Sequence, residues 1–175
     1  MQNYVMNEFE QYDKAIAAQF ARQKPMKAPL SFWDCLDEAE ARRIAMYDVY
    51  AVLAFGERHG WVIERNVESL ITPDHVMVVT NPQVRIVHAT RNMTRMNGYL
   101  PEEIIGASPK IFQGPGTDAN TSARIRQAIS DRRPFEETVI NYYKDGRTYD
   151  CHIKAFPMFN SKGELMHFIA FETAA

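Results

Sequence analysis

The chain has 175 residues, is 46% hydrophobic and carries a net charge of −2, which suits one domain plus an extension built on a real core. That balance gives no electrostatic footprint for nucleic acid, and no apolar run approaches the roughly 20 residues of a bilayer span. Cys35 and Cys151 show no C-x-x-C spacing, so neither a zinc site nor a disulfide framework is indicated. MQNYVMNEFE lacks the basic and apolar blocks of a signal peptide, and the sequence predicts a reduced, cytoplasmic protein.

Residues 3–23 are predicted as a helix, because Val5, Phe9, Tyr12, Ile16 and Phe20 recur at steps of four and three. Pro25 and Pro29 end it. Ser31, with Asp34 three residues on, is placed to cap a second helix running through Leu36, Ala39, Ile44, Tyr47, Val52 and Phe55. Gly60 is its predicted stop. Ala45 to Phe55 is apolar on more than one face, so this helix either packs as an ordinary core helix or forms a dimer interface. Trp61 to Thr72 reads as a linker holding a short helix around Val67, Leu70 and Ile71, closed by Pro73.

From about residue 75 the texture changes. His75–Thr80 and Val84–Ala89 are β-rich runs around the turn Asn81-Pro82-Gln83, predicting a hairpin. Short helical turns follow through Met93, Met96 and Ile104. The stretch Gly106–Asp118, GASPKIFQGPGTD, is a loop, and Asp118 or Thr121 starts a helix carrying Ile125, Ala128 and Ile129, with Asp118 placed to cap it. Phe135–Tyr142, Arg147–Phe159 and Glu164–Thr173 read as strands separated by Lys144-Asp145-Gly146 and Asn160–Gly163, an antiparallel meander. The five histidines, His59, His75, His88, His152 and His167, show no metal spacing and read as satisfied or solvated side chains. Met77, Met93, Met96, Met158 and Met166 read as adaptable core filler. No G-x-S-x-G, phosphate-loop or H-E-x-x-H pattern occurs, so an enzyme is not expected.

Several stretches carry a family resemblance over about residues 75–173. They are Asn97-Gly98-Tyr99, Glu102–Gly106, Phe112–Asp118, Ile125–Ile129, Asn141–Gly146, Pro157 and Gly163-Glu164-Leu165. In order and at family spacing they resemble a PAS domain of the LOV, or blue-light, branch. The resemblance implies an α+β fold with a five-stranded antiparallel sheet and short helices on one face, over residues 74–175. Residues 1–73 are then a helical extension and linker.

The resemblance also implies a flavin site, from which this sequence departs. The family's Gly-Arg-Asn-Cys-Arg-Phe-Leu-Gln-Gly run matches Gly106 to Gly114, and its photoactive cysteine falls on Pro109. Its two phosphate-binding arginines match Lys110 and Arg126. Lysine keeps the charge but lacks the planar fork. Gln113 matches the ribityl contact and Asn141 the first ring-edge asparagine. The second asparagine is Cys151, a poor donor, and the ring-edge glutamine is Glu172, whose ionised form only accepts. Two altered ring contacts weaken flavin affinity roughly 10–1000-fold, at ~1.4 kcal/mol per decade. The first reading is therefore an inherited cavity holding another ligand or none. FMN bound by a cysteine-less photoreceptor that signals by flavin reduction is the alternative, and a purely structural scaffold the third. The expected role is a bacterial-type regulatory module in signal transduction, acting through a homodimer and a signalling protein partner. With the chain ending two residues past the last strand, output is expected through the outer sheet face and the N-terminal helices.

Overall fold

The computed structural model describes residues 30–174, with side chains from Glu40 onward apart from those of Ala41 and Ala45. The predicted helix 3–23 and the side chain of Cys35 lie outside that description. Contacts divide the chain into Met1–Ala39 and Glu40–Ala175, and all that follows concerns the second unit. Its elements are the C-terminal part of helix α1 (Leu30–Arg58), then α2 (Arg65–Glu68), β1 (Val76–Thr80), β2 (Ile86–Ala89), α3 (Met93–Asn97) and α4 (Pro101–Ile104). A 3₁₀ turn (Pro109–Phe112), α5 (Ala119–Ser130), β3 (Phe135–Tyr142), β4 (Thr148–Phe159) and β5 (Leu165–Ala174) complete it.

The five strands form one antiparallel sheet in the order β2-β1-β5-β4-β3. The last three make the predicted meander, and β5 closes against β1 to become the central strand. Alternation then sorts side chains to two faces. Val78, Ala170, Ala155 and Phe135 align across one face, while Met77 and Phe171 align on the other.

Each face of the sheet has its own core. On the inner face Val76, Val78, Ile86, Ala89, Met93, Ile104 and Phe112 pack beneath the short helices. On the outer face Met77, Val79, Phe156, Met158, Ile169 and Phe171 pack against Val49 and Val52 of α1 and against Trp61, Val67 and Ile71. The segment after α1 is therefore not a bare linker. The sequence places a short helix there, but Trp61 also pairs with Asn160 and donates Nε1–H to His167 Nδ1 at 3.0 Å. Gly60 ends α1 in the left-handed region, φ 66°, the conformation that favours glycine at a helix stop. That turn folds Trp61 back under the helix, where its amide reaches the Gly56 carbonyl at 3.0 Å.

The two faces of α1 behave differently. Val49 and Val52 are buried, whereas Met46, Tyr47 and Tyr50 remain 39%, 48% and 62% exposed. The core-helix reading holds for the buried face. Toward β3 and the start of β4 the outer face turns polar, with Glu136 ion-paired to Lys154 and in hydrogen-bond contact with His152.

Candidate functional site

The loop Gly106–Asp118 closes one side of a cavity on the inner face, and local chemistry fixes its path. Ser108 caps the 3₁₀ turn by accepting from the Lys110 amide, and Pro109 opens that turn, where its missing N–H costs nothing. Asp118 caps α5 through the Thr121 amide at 2.6 Å, as the sequence predicts. Between these caps the loop wraps edge strand β3. The Gly116 amide donates to Tyr142 Oη at 2.8 Å, and Thr117 Oγ1 donates to the Ile140 carbonyl at 2.7 Å. A Cβ on Gly114 would lie 2.6 Å from the Tyr142 ring, so only glycine lets the loop lie this close. Arg124 on α5 pairs with Glu137 on β3 and holds the helix over the sheet.

The cavity, open at one end, is about 140 Å³, walled by apolar side chains including Val78, Phe112, Ile125, Phe135, Ile153 and Phe168. An apolar cavity of about 150 Å³ holds one benzene, so this one matches a single six-membered ring. Pro109, Lys110, Gln113, Arg126, Asn141 and Glu172 all line it. The sequence-derived positions are thus brought together. Cys151, the remaining one, sits fully buried beside Glu172.

The cavity has two polar ends. At the sheet end Asn141 and Glu172 are 3% and 5% exposed. The Cys151 thiol donates to Glu172 Oε2 at 3.7 Å. Burial is the main cause of the Glu172 shift, pushing its carboxyl up to about 7, and the thiol only partly offsets this. Burial and the adjoining Glu172 likewise push the Cys151 thiol well up, so it stays protonated. Tyr149, two residues before Cys151 and on the same face, receives a hydrogen bond from Asn97 Nδ2 at 3.4 Å. Its hydroxyl is also raised, first by burial.

At the other end Lys110 and Arg126 are exposed and border both the cavity and an open recess of about 360 Å³ that also includes Arg85. None of these three side chains joins an ion pair among the described residues. Val84 stands at this mouth with φ 57°, a left-handed conformation that is strained for a β-branched residue. The turn holds it there: Asn81 Oδ1 accepts from the Gln83 and Arg85 amides.

The sequence reading missed Tyr149, Asn97 and Arg85. Period-two alternation from Cys151 points to Tyr149. Nothing local points to Arg85, which reaches the site only because the β1–β2 turn lies over it. The reading took the histidines as satisfied or solvated, but His88 Nε2 is buried without a hydrogen-bond partner among the described residues. His59 and His88 both stack on Phe55, at 4.2 and 5.5 Å between ring centroids, and His167 meets His59 at 4.8 Å. They form an aromatic cluster under α1. No group of metal-ligating side chains occurs among the described residues.

Comparison with known proteins agrees with this architecture. A family model described as "PAS domain" matches residues 73–173. Phototropin-2 of Oryza sativa subsp. japonica is 33% identical over 93 residues, 53% of this chain and 10% of that protein. A blue-light-activated histidine kinase of Brucella ovis is 32% identical over 97 residues, 54% of this chain and 20% of that protein. The chain thus spans about a tenth and a fifth of these relatives. The dark structure of the Aureochrome1 LOV domain superposes with TM-score 0.60 at 25% identity, covering 65% of this chain and 85% of that one. The LOV domain of the Erythrobacter litoralis EL346 histidine kinase gives TM-score 0.54 at 21% identity, covering 57% and 94%. With its sheet order, its inner-face cavity and a match over more than half its length, the chain belongs to the PAS domain family and is similar to the LOV domains within it.

Proposed function

We propose that the chain is a regulatory PAS module, not an enzyme, that works in signal transduction through protein contacts and without LOV photoadduct chemistry. Residues 1–73 serve as a helical extension and 74–175 as the sensory domain. The carrying observation is Pro109 on the 3₁₀ turn that lines the cavity, which the sequence resemblance matches to the family's photoactive cysteine. Cys151, the cysteine beside the cavity, belongs to the sheet, donates to Glu172 and stays a neutral thiol, and a thiol is a weak nucleophile. The residues do not fit a flavin ring. By the sequence resemblance, the ring edge would meet a thiol and a carboxyl where the family has amides. Output passes through the exposed Met46–Tyr47–Tyr50 face of α1, which suits a second copy or a signalling partner.

Blue-light illumination of the full-length protein after incubation with FMN tests this reading. The expected outcome is an unchanged flavin spectrum. Reversible bleaching of the blue absorption band, persisting in the presence of an oxidant, sinks it. The alternative, a photoreceptor that signals by flavin reduction, draws on one observation: the unpaired Lys110 and Arg126 at the mouth suit a phosphate. Purified protein that is yellow favours that alternative; colourless protein favours the first.

A further inference from the structure

Resting on the non-photochemical reading above, we infer that the cavity binds a single-ring zwitterion, with a basic nitrogen at Glu172 and Asn141 and a carboxylate at Lys110, Arg126 and Arg85. Three independent features converge on this ligand class. The cavity has the volume of one six-membered ring and apolar walls, which selects a flat apolar body. Its two ends differ in charge type. Glu172 lies at the Val76 end of the paired strands, and Phe168 faces Thr80 at the other end. Four residues along a strand separate them by ~13 Å. The three cations gather beyond Thr80, around the β1–β2 turn.

Neither end is neutralised by the protein itself. The cations have no acidic partner among the described residues. Glu172 has only the Cys151 thiol, a weak donor, on one oxygen. The sole buried side-chain atom without a partner among the described residues is His88 Nε2, so the second Glu172 oxygen is open to the cavity it lines. A buried carboxylate is costly unless paired, and a basic nitrogen on the ligand supplies the pairing. Because this carboxyl holds its proton up to about pH 7, taking a cation releases that proton, and affinity for the nitrogen falls as pH drops below 7.

Calorimetric titration of the full-length protein with 4-(aminomethyl)benzoate, benzoate, benzylamine and FMN tests the inference. The zwitterion is expected to bind at least tenfold tighter than either half-ligand. Its affinity should fall several-fold between pH 8 and pH 6, while that of benzoate stays constant. Glu172→Gln, an isosteric change, should remove the advantage of the amine and its pH dependence and spare benzoate. Lys110→Ser with Arg126→Ser should weaken benzoate and zwitterion alike and spare benzylamine. Equal affinities for the zwitterion and its halves overturn the inference, as does stoichiometric FMN uptake. A protein that ignores the zwitterion and forms no adduct under light loses this inference alone. A light-driven flavin adduct overturns both this inference and the reading beneath it.

Discussion

Glu172 is the buried titratable side chain at the sheet end of the cavity. Buried at 5% exposure with a single thiol partner, its carboxyl is raised from 4.5 to about 7. A carboxyl that binds its proton more tightly when folded stabilises the fold fully below about pH 4.5. That contribution disappears as pH rises through 7. The span of about 2.5 units corresponds to about 3 kcal/mol, at ~1.36 kcal/mol per unit. Glu172→Gln keeps the shape and removes the titration. The variant should be more stable than the parent at pH 8, by about 1–3 kcal/mol, with the gain shrinking toward pH 5. Urea denaturation at both pH values measures this, and a pH-independent difference counts against the assignment. The loop opposite works through sterics. Gly114→Ala would drive a methyl into the Tyr142 ring and should cost about 1–3 kcal/mol.

Helix α1 divides its work between its two faces. Its inward face is structural: Val52 is fully buried among the outer-face core, and Val52→Ala should cost about 2 kcal/mol through the cavity it leaves. Asp48 fastens the same helix to the loop after β2. Its carboxylate accepts from the Arg91 amide at 2.7 Å and the Asn92 amide at 3.3 Å. The outward face, Met46, Tyr47 and Tyr50, is solvent-exposed in the single chain. Tyr47→Lys with Tyr50→Lys should leave monomer stability within about 0.5 kcal/mol and break a dimer built on that face. Light scattering at micromolar concentration reads the result. A monomeric parent protein, or a dimer indifferent to both lysines, removes α1 as the interface.

At the scale of the molecule, the two sides of the sheet respond to protons with opposite sign. The inner face holds Glu172, whose stabilisation is lost as pH rises. The outer face holds His167, lowered to about 4 chiefly by burial, with neighbouring His59 adding repulsion. His88, also lowered by burial, is there too, opposed by Asp48. A histidine that gives up its proton more easily when folded stabilises above its unfolded value of 6.5. That contribution is lost as pH falls through 4. Between about pH 4.5 and 6.5 the two trends offset each other, so the parent protein should show a shallow stability profile. Glu172→Gln should leave the lowered histidines opposed by the raised Asp48 carboxyl, and stability should then fall with acidification. His167→Gln, which keeps an acceptor for Trp61 Nε1–H, should tilt the slope the other way, with His88 still opposing it. Thermal melts across that range compare the three proteins; parallel curves would show that neither group titrates as argued.

Sequence alone determined whatever depends on local pattern. The strands follow from β-rich alternating runs between turn residues, the α5 start from Asp118, the α1 stop from Gly60, and the family from ordered motifs over 75–173. Even the cavity side chains Lys110, Gln113, Arg126, Asn141 and Glu172 were legible, because a shared fold carries their positions. Only the tertiary structure decided what depends on distant chain segments meeting. Pairing of β5 with β1 made the last strand central and gave the sheet two cores. The back-folded Trp61–Ile71 segment and one face of α1 filled the outer core, something no periodicity reveals because a helix pattern does not name its partner. Arg85 joined the mouth, and Tyr149 and Asn97 the buried polar end, through contacts more than twenty residues apart. Cavity volume is a property of how side chains from both layers interdigitate, and no local stretch of sequence encodes it.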